Sequence, residues 1–153
     1  MYTIKEASAI RQQFWTKFGQ YMAPVLSATG QKTNWINYKT GVKWIRFKMD
    51  ATGMEAIISI EILANTPELM QHYFRHMNSF RSALEEELGD TWHWDEQAYN
   101  DAGKPIGKIF ARLPDVNVLK ESDWPMIISF LKPRILALDR FWSLHKEIFE
   151  MLV

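Results

Sequence analysis

The chain has 153 residues, 47% of them hydrophobic and 14% aromatic, with seven Trp, nine Phe and no Cys. That length supports one domain with its own core, and the lack of Cys excludes thiol nucleophiles, disulfides and Cys-based zinc sites. The formal net charge is zero, which argues against strong nonspecific DNA binding by the domain as a whole.

The charge is unevenly spread. Residues 1–50 hold eight Lys/Arg against two Asp/Glu, residues 51–101 two against ten, and residues 102–153 eight against six. Folding is expected to bring these segments together and pair them. The N-terminus carries Lys5, Glu6 and Arg11 and no apolar signal-peptide region, and no apolar run reaches membrane-spanning length. The expectation is a cytoplasmic protein of bacterial type with no membrane partner and no cofactor.

In chain order, Thr3-Ile4-Lys5-Glu6 reads as a capping box, and Ile10, Phe14, Phe18 and Met22 recur every four residues as one helix face. Gly19 inside that helix implies a close packing contact, and Pro24 ends it. Residues 26–33 read as a loop that pivots on Gly30. The most strand-like stretch follows, Lys32 to Leu63, read as a three-stranded meander: Asn34–Lys39, a Thr40-Gly41 turn, Val42–Met49, an Asp50–Gly53 turn, and Met54–Leu63. Period-two alternation puts Met54, Ala56, Ile58, Ile60 and Ile62 on a core face with Ile45, Phe47 and Met49. The opposite face then collects Trp35 beside Arg46, Asn37 beside Trp44, and Lys48 beside Glu55.

Thr66 caps a second helix with Pro67 at its first position and Gly89 as its stop. Its buried stripe is Leu69, Tyr73, Met77, Phe80, Leu84 and Leu88. Glu85-Glu86-Glu87 near its C-terminus reads as a solvated acidic patch or a surface for a basic partner. Thr91–Asp95 and Pro105–Leu113 read as strands four and five, with Trp92 and Trp94 on one face and His93 and Asp95 on the other. Ser122 or Asp123 caps a last helical region from Trp124 to about Met151, expected to be divided at Pro133. The predicted fold class is α+β, a five-stranded mainly antiparallel sheet with three helical regions in the order α-β-β-β-α-β-β-α, as a single domain over 1–153.

Catalytic signatures are sparse. The chain has no Gly-rich phosphate loop, nucleophile elbow or His-Glu-x-x-His. His72 and His76 share a helix face, and His93 and Asp95 a strand face, but structural roles account for both pairs. The element order parallels a restriction-endonuclease-like core, whose chemistry needs an acid on the second strand and an acid-x-Lys on the third. Asp50 and Glu61 fit the acids, but Leu63 stands where the lysine belongs. A binding role for Trp35, Asn37, Trp44, Arg46 and Lys48 is the stronger reading, because sheet aromatics stack bases while cations hold phosphates.

Three groups of residues carry a resemblance: Arg11-Gln12-Gln13-Phe14-Trp15-Thr16-Lys17-Phe18, then Asn34-Trp35-Ile36-Asn37-Tyr38-Lys39-Thr40-Gly41, and Asp123-Trp124-Pro125 with Ala137-Leu138-Asp139-Arg140-Phe141-Trp142. From Lys5 to about Phe149 the chain resembles a bacterial family of unknown function that, in longer relatives, follows a restriction-endonuclease-like nuclease domain. The resemblance implies an association with nucleic-acid processing or defence and carries over no catalytic residue. Together these readings predict a non-catalytic binding or accessory module, with nucleic acid or a nuclease as partner. A decayed metal-dependent nuclease-like enzyme and a homodimeric interaction domain are the alternatives.

Overall fold

Four antiparallel strands form one sheet in the order β1-β2-β4-β3, and the helices gather on a single side of it. The computed structural model describes residues 2–152. Among these, α1 spans Ile4–Met22, β1 Ile45–Ala51, β2 Glu55–Ile62, α2 Pro67–Ser79, α3 Arg81–Leu88, β3 His93–Tyr99, β4 Pro105–Pro114 and α4 Trp124–Glu150, which a 3-10 turn at Glu121–Asp123 precedes. The α+β class holds. Among the described residues no helix is long and apolar enough to cross a membrane.

Local signals explain most elements. The capping box forms: Thr3 Oγ1 accepts from the Glu6 amide at 3.0 Å, and Glu6 Oε1 from the Thr3 amide at 3.3 Å. Phe14, Phe18 and Met22 are buried on the predicted face of α1. A Cβ on Gly19 would meet Ile36 Cδ1 at 3.2 Å, the close contact its position implied. Thr66 caps α2 through the Leu69 amide, and Gly89 ends α3 in the left-handed region at φ 73°.

The sheet core follows the alternation. Ala56, Ile58, Ile60 and Ile62 are fully buried, while Met54 stands exposed in the turn. They pair with Ala51, Met49, Phe47 and Ile45 on one side and Leu113, Ala111, Ile109 and Gly107 on the other. α2 and α4 lie on this face, and α1 and α3 pack on α4. At Gly107 the helix comes so near that a Cβ would lie 2.6 Å from the Phe74 ring.

Four expectations are corrected. Asn34–Lys39 is not a strand, so the sheet has four strands rather than five. The Asn34 side chain caps the Asn37 amide at 3.1 Å, and Trp35 and Tyr38, three apart, both turn inward onto distant partners, a spacing no strand allows. The β1–β2 reversal falls at Gly53-Met54, because Thr52 Oγ1 accepts from the Met54 and Glu55 amides. This moves the register, and Lys48 faces Ser59 instead of Glu55.

The second helix breaks at Phe80 (φ −102°, ψ 13°), so α2 and α3 replace one helix and the helical regions number four among the described residues. Ser79 turns its hydroxyl onto the His76 carbonyl at 2.5 Å, competing with the helix ladder. Phe80 wedges between His76, His145 and Phe149. Pro133, by contrast, does not divide α4. Ile127, Phe130 and Leu131 before it and Ile135, Leu138 and Phe141 after it are all buried and hold one axis, while the Arg134 guanidinium donates to the Phe130 carbonyl at 3.0 Å.

Candidate functional site

Between α1 and β1 the chain crosses the molecule as an arch without regular secondary structure, residues 23–44. Its side chains fasten it. Trp35 Nε1 donates to the Val25 carbonyl at 2.9 Å, and Trp142 Nε1 of α4 donates to the Thr40 carbonyl at 2.7 Å. Asp139, also on α4 and only 5% exposed, accepts from the Ala28 amide at 2.7 Å and the Tyr38 hydroxyl at 2.6 Å. Trp35, Tyr38, Phe47 and Trp142 form a run of ring contacts at 6.1, 5.2 and 5.6 Å. Burial, then the hydrogen bond and charge of Asp139, push the Tyr38 phenol well above the usual tyrosine range. The phenol is therefore a committed donor, and hydrogen bonds from the Tyr38 hydroxyl and the Ala28 amide to Asp139, and from Trp142 to the Thr40 carbonyl, fasten the arch to α4.

The fastened arch makes two grooves. Residues Asn37, Tyr38 and Lys39 form a ridge that lines both. On the α4 side is a cleft of about 480 Å³, bordered by Lys32, Asn34, Lys39, Ser143 and Lys146 and floored by Asp139. On the β1 side a groove of about 490 Å³ is bordered by Trp15, Asn37, Lys39, Arg46 and Lys48. Five cations thus edge the two grooves. Asp139 is the one carboxylate among the described residues that lines either, and the arch already engages both its oxygens. Lys32 and Lys39 are exposed and make no ion pair among the described residues.

Of the five residues expected to bind, Asn37, Arg46 and Lys48 meet at the β1-side groove. Trp35 does not: it is 3% exposed and belongs to the core. Trp44 is half-buried at the start of β1, its carbonyl accepting from the Leu63 amide and the Lys43 ammonium lying 4.6 Å from its ring. The expected two-Trp platform beside the cations is therefore not formed, because the arch is not a strand and cannot align residue 35 with residue 46. Trp15, Lys32, Lys39, Asp139 and Lys146 escaped sequence reasoning as site residues. The spacing of Trp35 and Tyr38 was the available signal, since two inward aromatics three apart mark a pinned loop rather than a strand.

The sheet face away from the helices is open and polar. Register places Arg46, Glu61, Lys108 and Asp95 in one row across it, and Lys48, Ser59, Phe110 and His93 in the next. Arg46 forks onto the buried Glu61 carboxylate through Nε at 3.2 Å and Nη2 at 2.9 Å. His93 stacks on Phe110 at 5.2 Å, and Asp95 accepts from the Gln97 amide, so these two do not orient each other.

The nuclease-like alternative loses its geometry here. Asp50 faces Ile57 and Glu61 faces Arg46, which sets the two acids four residues apart along neighbouring strands, roughly 13 Å at strand spacing. Carboxylates so far apart cannot share one ion at ligand distances near ~2 Å. Among the described residues no group of three or more His, Asp or Glu converges as metal ligands. His76 packs on Phe149 and Phe80 with its Nε2 buried and unpartnered, while His72 is exposed. Two of the three α3 glutamates are also spoken for, Glu85 by Arg81 and Glu87 by Arg140.

The geometry thus sets an arch fastened to α4, with cations along both of its grooves. Residues 10–146 match the domain of unknown function family DUF4268, and the chain belongs to that family. No curated protein and no solved structure matches the chain. Trp15, the Asn34–Gly41 stretch and Asp139 with Trp142, which carried the family resemblance, all meet at the arch.

Proposed function

We propose that this domain is a non-catalytic accessory module that binds nucleic acid, with the phosphates of a single strand crossing the Asn37–Lys39 ridge between the two grooves. One observation carries this reading: of the five cations that edge the two grooves, Lys32 and Lys39 make no ion pair among the described residues, and the one described carboxylate that lines either groove is internally bonded. A polyanion is the partner that such an edge attracts. Asn37 offers amide hydrogen bonds on the ridge, and the half-buried Trp15 offers a ring face in the β1-side groove for a base. A role beside a nuclease domain, as the family resemblance implies, fits a module that holds the substrate of its neighbour. The zero total charge sets the expectation of modest affinity with a shallow salt slope.

The test is fluorescence anisotropy with a labelled single-stranded oligonucleotide, titrated across salt concentrations. Each neutralised phosphate of a single strand contributes about 0.7 to the slope of log K against log salt. Lys32→Ala with Lys39→Ala therefore lowers the slope by roughly 1.4 and weakens binding regardless of base sequence. An unchanged slope in the double variant removes the ridge from consideration.

A further inference from the structure

The β3–β4 hairpin does something its sequence does not announce. Its tip, residues 100–104, carries Asp101, and the Asp101 carboxylate is bonded to the Lys48 ammonium on β1, the far edge of the sheet from β3. To reach Lys48 the hairpin has to curl over the open face, across β2. Burial agrees: Ile106, which shares its strand parity with Lys108 and Phe110, is 1% exposed yet lies outside the main core cluster. Ser59 and Glu61, in the middle of the open face, are 2% and 3% exposed.

Beneath the tip, three cations converge from three strand positions. Arg46 and Lys108 flank Glu61 in one row, and Lys48 is next to Arg46 along β1 in the following row. Glu61 is neutralised by the Arg46 fork, and Asp95, the cross-strand neighbour of Lys108, is turned to the Gln97 amide. Lys48 lowers the Asp101 carboxyl below its ordinary value through its hydrogen bond and charge, burial opposes this, and Lys108 and Arg46 add to it. Asp101 itself is 82% exposed, so besides the buried Glu61 on Arg46, one solvated carboxylate on a turn meets this cluster, at Lys48. Such exposed pairs are weak and exchange readily for another anion.

We propose that Arg46, Lys48 and Lys108 form an anion site of phosphate class on the open sheet face, which Asp101 fills as an internal stand-in. A phosphate group that enters displaces the carboxylate from Lys48 and frees the hairpin tip, and Ser59 lies between Lys48 and Phe110 as a neutral hydroxyl. The site shares Arg46 and Lys48 with the β1-side groove, while Lys108 and Asp101 lie outside both grooves, and it does not depend on nucleic acid being the ligand at the ridge.

The experiment uses the whole chain and inorganic phosphate at constant ionic strength, followed by amide resonances in two-dimensional NMR for wild type, Asp101→Asn and Asp101→Asn with Lys108→Ala. An exposed ion pair of this kind competes by at most about fivefold, so Asp101→Asn binds phosphate up to about fivefold more tightly, with shifts at Ser59, Lys108 and the hairpin tip, and Lys108→Ala abolishes the gain. Equal phosphate response in wild type and Asp101→Asn overturns the proposal, as do shifts confined to Asn37 and Lys39. Those last resonances report the ridge, so failure of the two sites is read separately.

Discussion

Replacing Tyr38 by Phe removes the hydroxyl that donates to Asp139 Oδ1 at 2.6 Å and changes little else. Asp139 keeps the Ala28 amide on Oδ2 but has one charged oxygen without its partner, in a residue only 5% exposed. A hydrogen bond to a charged group contributes about 1.5–3 kcal/mol. Because Asp139 floors an open cleft, water enters to replace part of the loss, and the lower portion applies, about 1.5–2 kcal/mol. For a domain of this size each kcal/mol moves Tm by about 2–4 °C, so Tyr38→Phe lowers Tm by roughly 3–8 °C. Urea unfolding should show the same loss in midpoint with an unchanged m-value, and a double-mutant cycle with Asp139→Asn should give a coupling of at least about 1 kcal/mol. The alkaline limb supplies an independent check. Burial and Asp139 raise the folded pKa of Tyr38, so its contribution is complete below the ordinary tyrosine value near ~10 and fades as pH climbs past it. Tyr38→Phe should therefore lose less stability than wild type above that pH, while Tyr73, raised by burial, retains its own share. A variant within about 0.5 kcal/mol of wild type, or a cycle with no coupling, would refute the view that this bond fastens the arch.

Gly107→Ala should cost about 1–3 kcal/mol by overpacking, since its Cβ would lie 2.6 Å from Phe74 Cδ2 and 3.3 Å from Met70 Sδ; Phe74→Leu in the same chain should recover part of the loss, and additive unfolding energies would discount the clash. His76 is held below the ordinary imidazole range by burial first and the charge of His72 second, so its contribution is present above about 6.5 and lost as pH falls. Urea midpoints at acidic and neutral pH should converge in His76→Leu relative to wild type, and an unaltered acid loss would assign that limb to other groups.

How much was legible in the chain depended on whether each signal was local. The capping box at Thr3, the cap at Thr66, the stop at Gly89 and the core parity of Ala56 through Ile62 need only neighbouring residues, and each stands as read. Asn34–Lys39 looked extended because Trp, Ile and Tyr favour strands, yet its conformation is set by Val25, Asp139 and Trp142, between 10 and 102 residues away. Tertiary partners outvoted propensity there, and every face assignment that relied on that strand moved with it. The β1–β2 register failed for a smaller reason: Thr52 competes for the turn through its hydroxyl, which shifts the reversal toward β2 by two residues. Arg46 and Lys48 kept their shared face because parity within one strand survives a register shift of an even number of residues.

The charge asymmetry along the chain takes its meaning from where pairing stops. The acidic middle of the sequence is met from both sides: Arg46 binds Glu61 and Lys48 binds Asp101 from the N-terminal third, while Arg134 binds Asp90 and Arg140 binds Glu87 from α4. Those pairs are spread over the open sheet face and α3. No acidic residue of the middle segment lines the grooves beside the arch, where Asp139 is the one carboxylate among the described residues. Lys32, Lys39 and Lys43 are among the cations that make no ion pair among the described residues, and they stand together on the arch. A net charge averages this away, but a ligand does not, because screening confines it to charges within about 8–10 Å at physiological salt. The same arithmetic separates the two proposed sites. At the ridge Lys32 and Lys39 make no ion pair among the described residues, so under the proposal mutation there should change how steeply binding depends on salt. On the sheet face the charge is already balanced from within, so removing the internal carboxylate, rather than a cation, is what uncovers it.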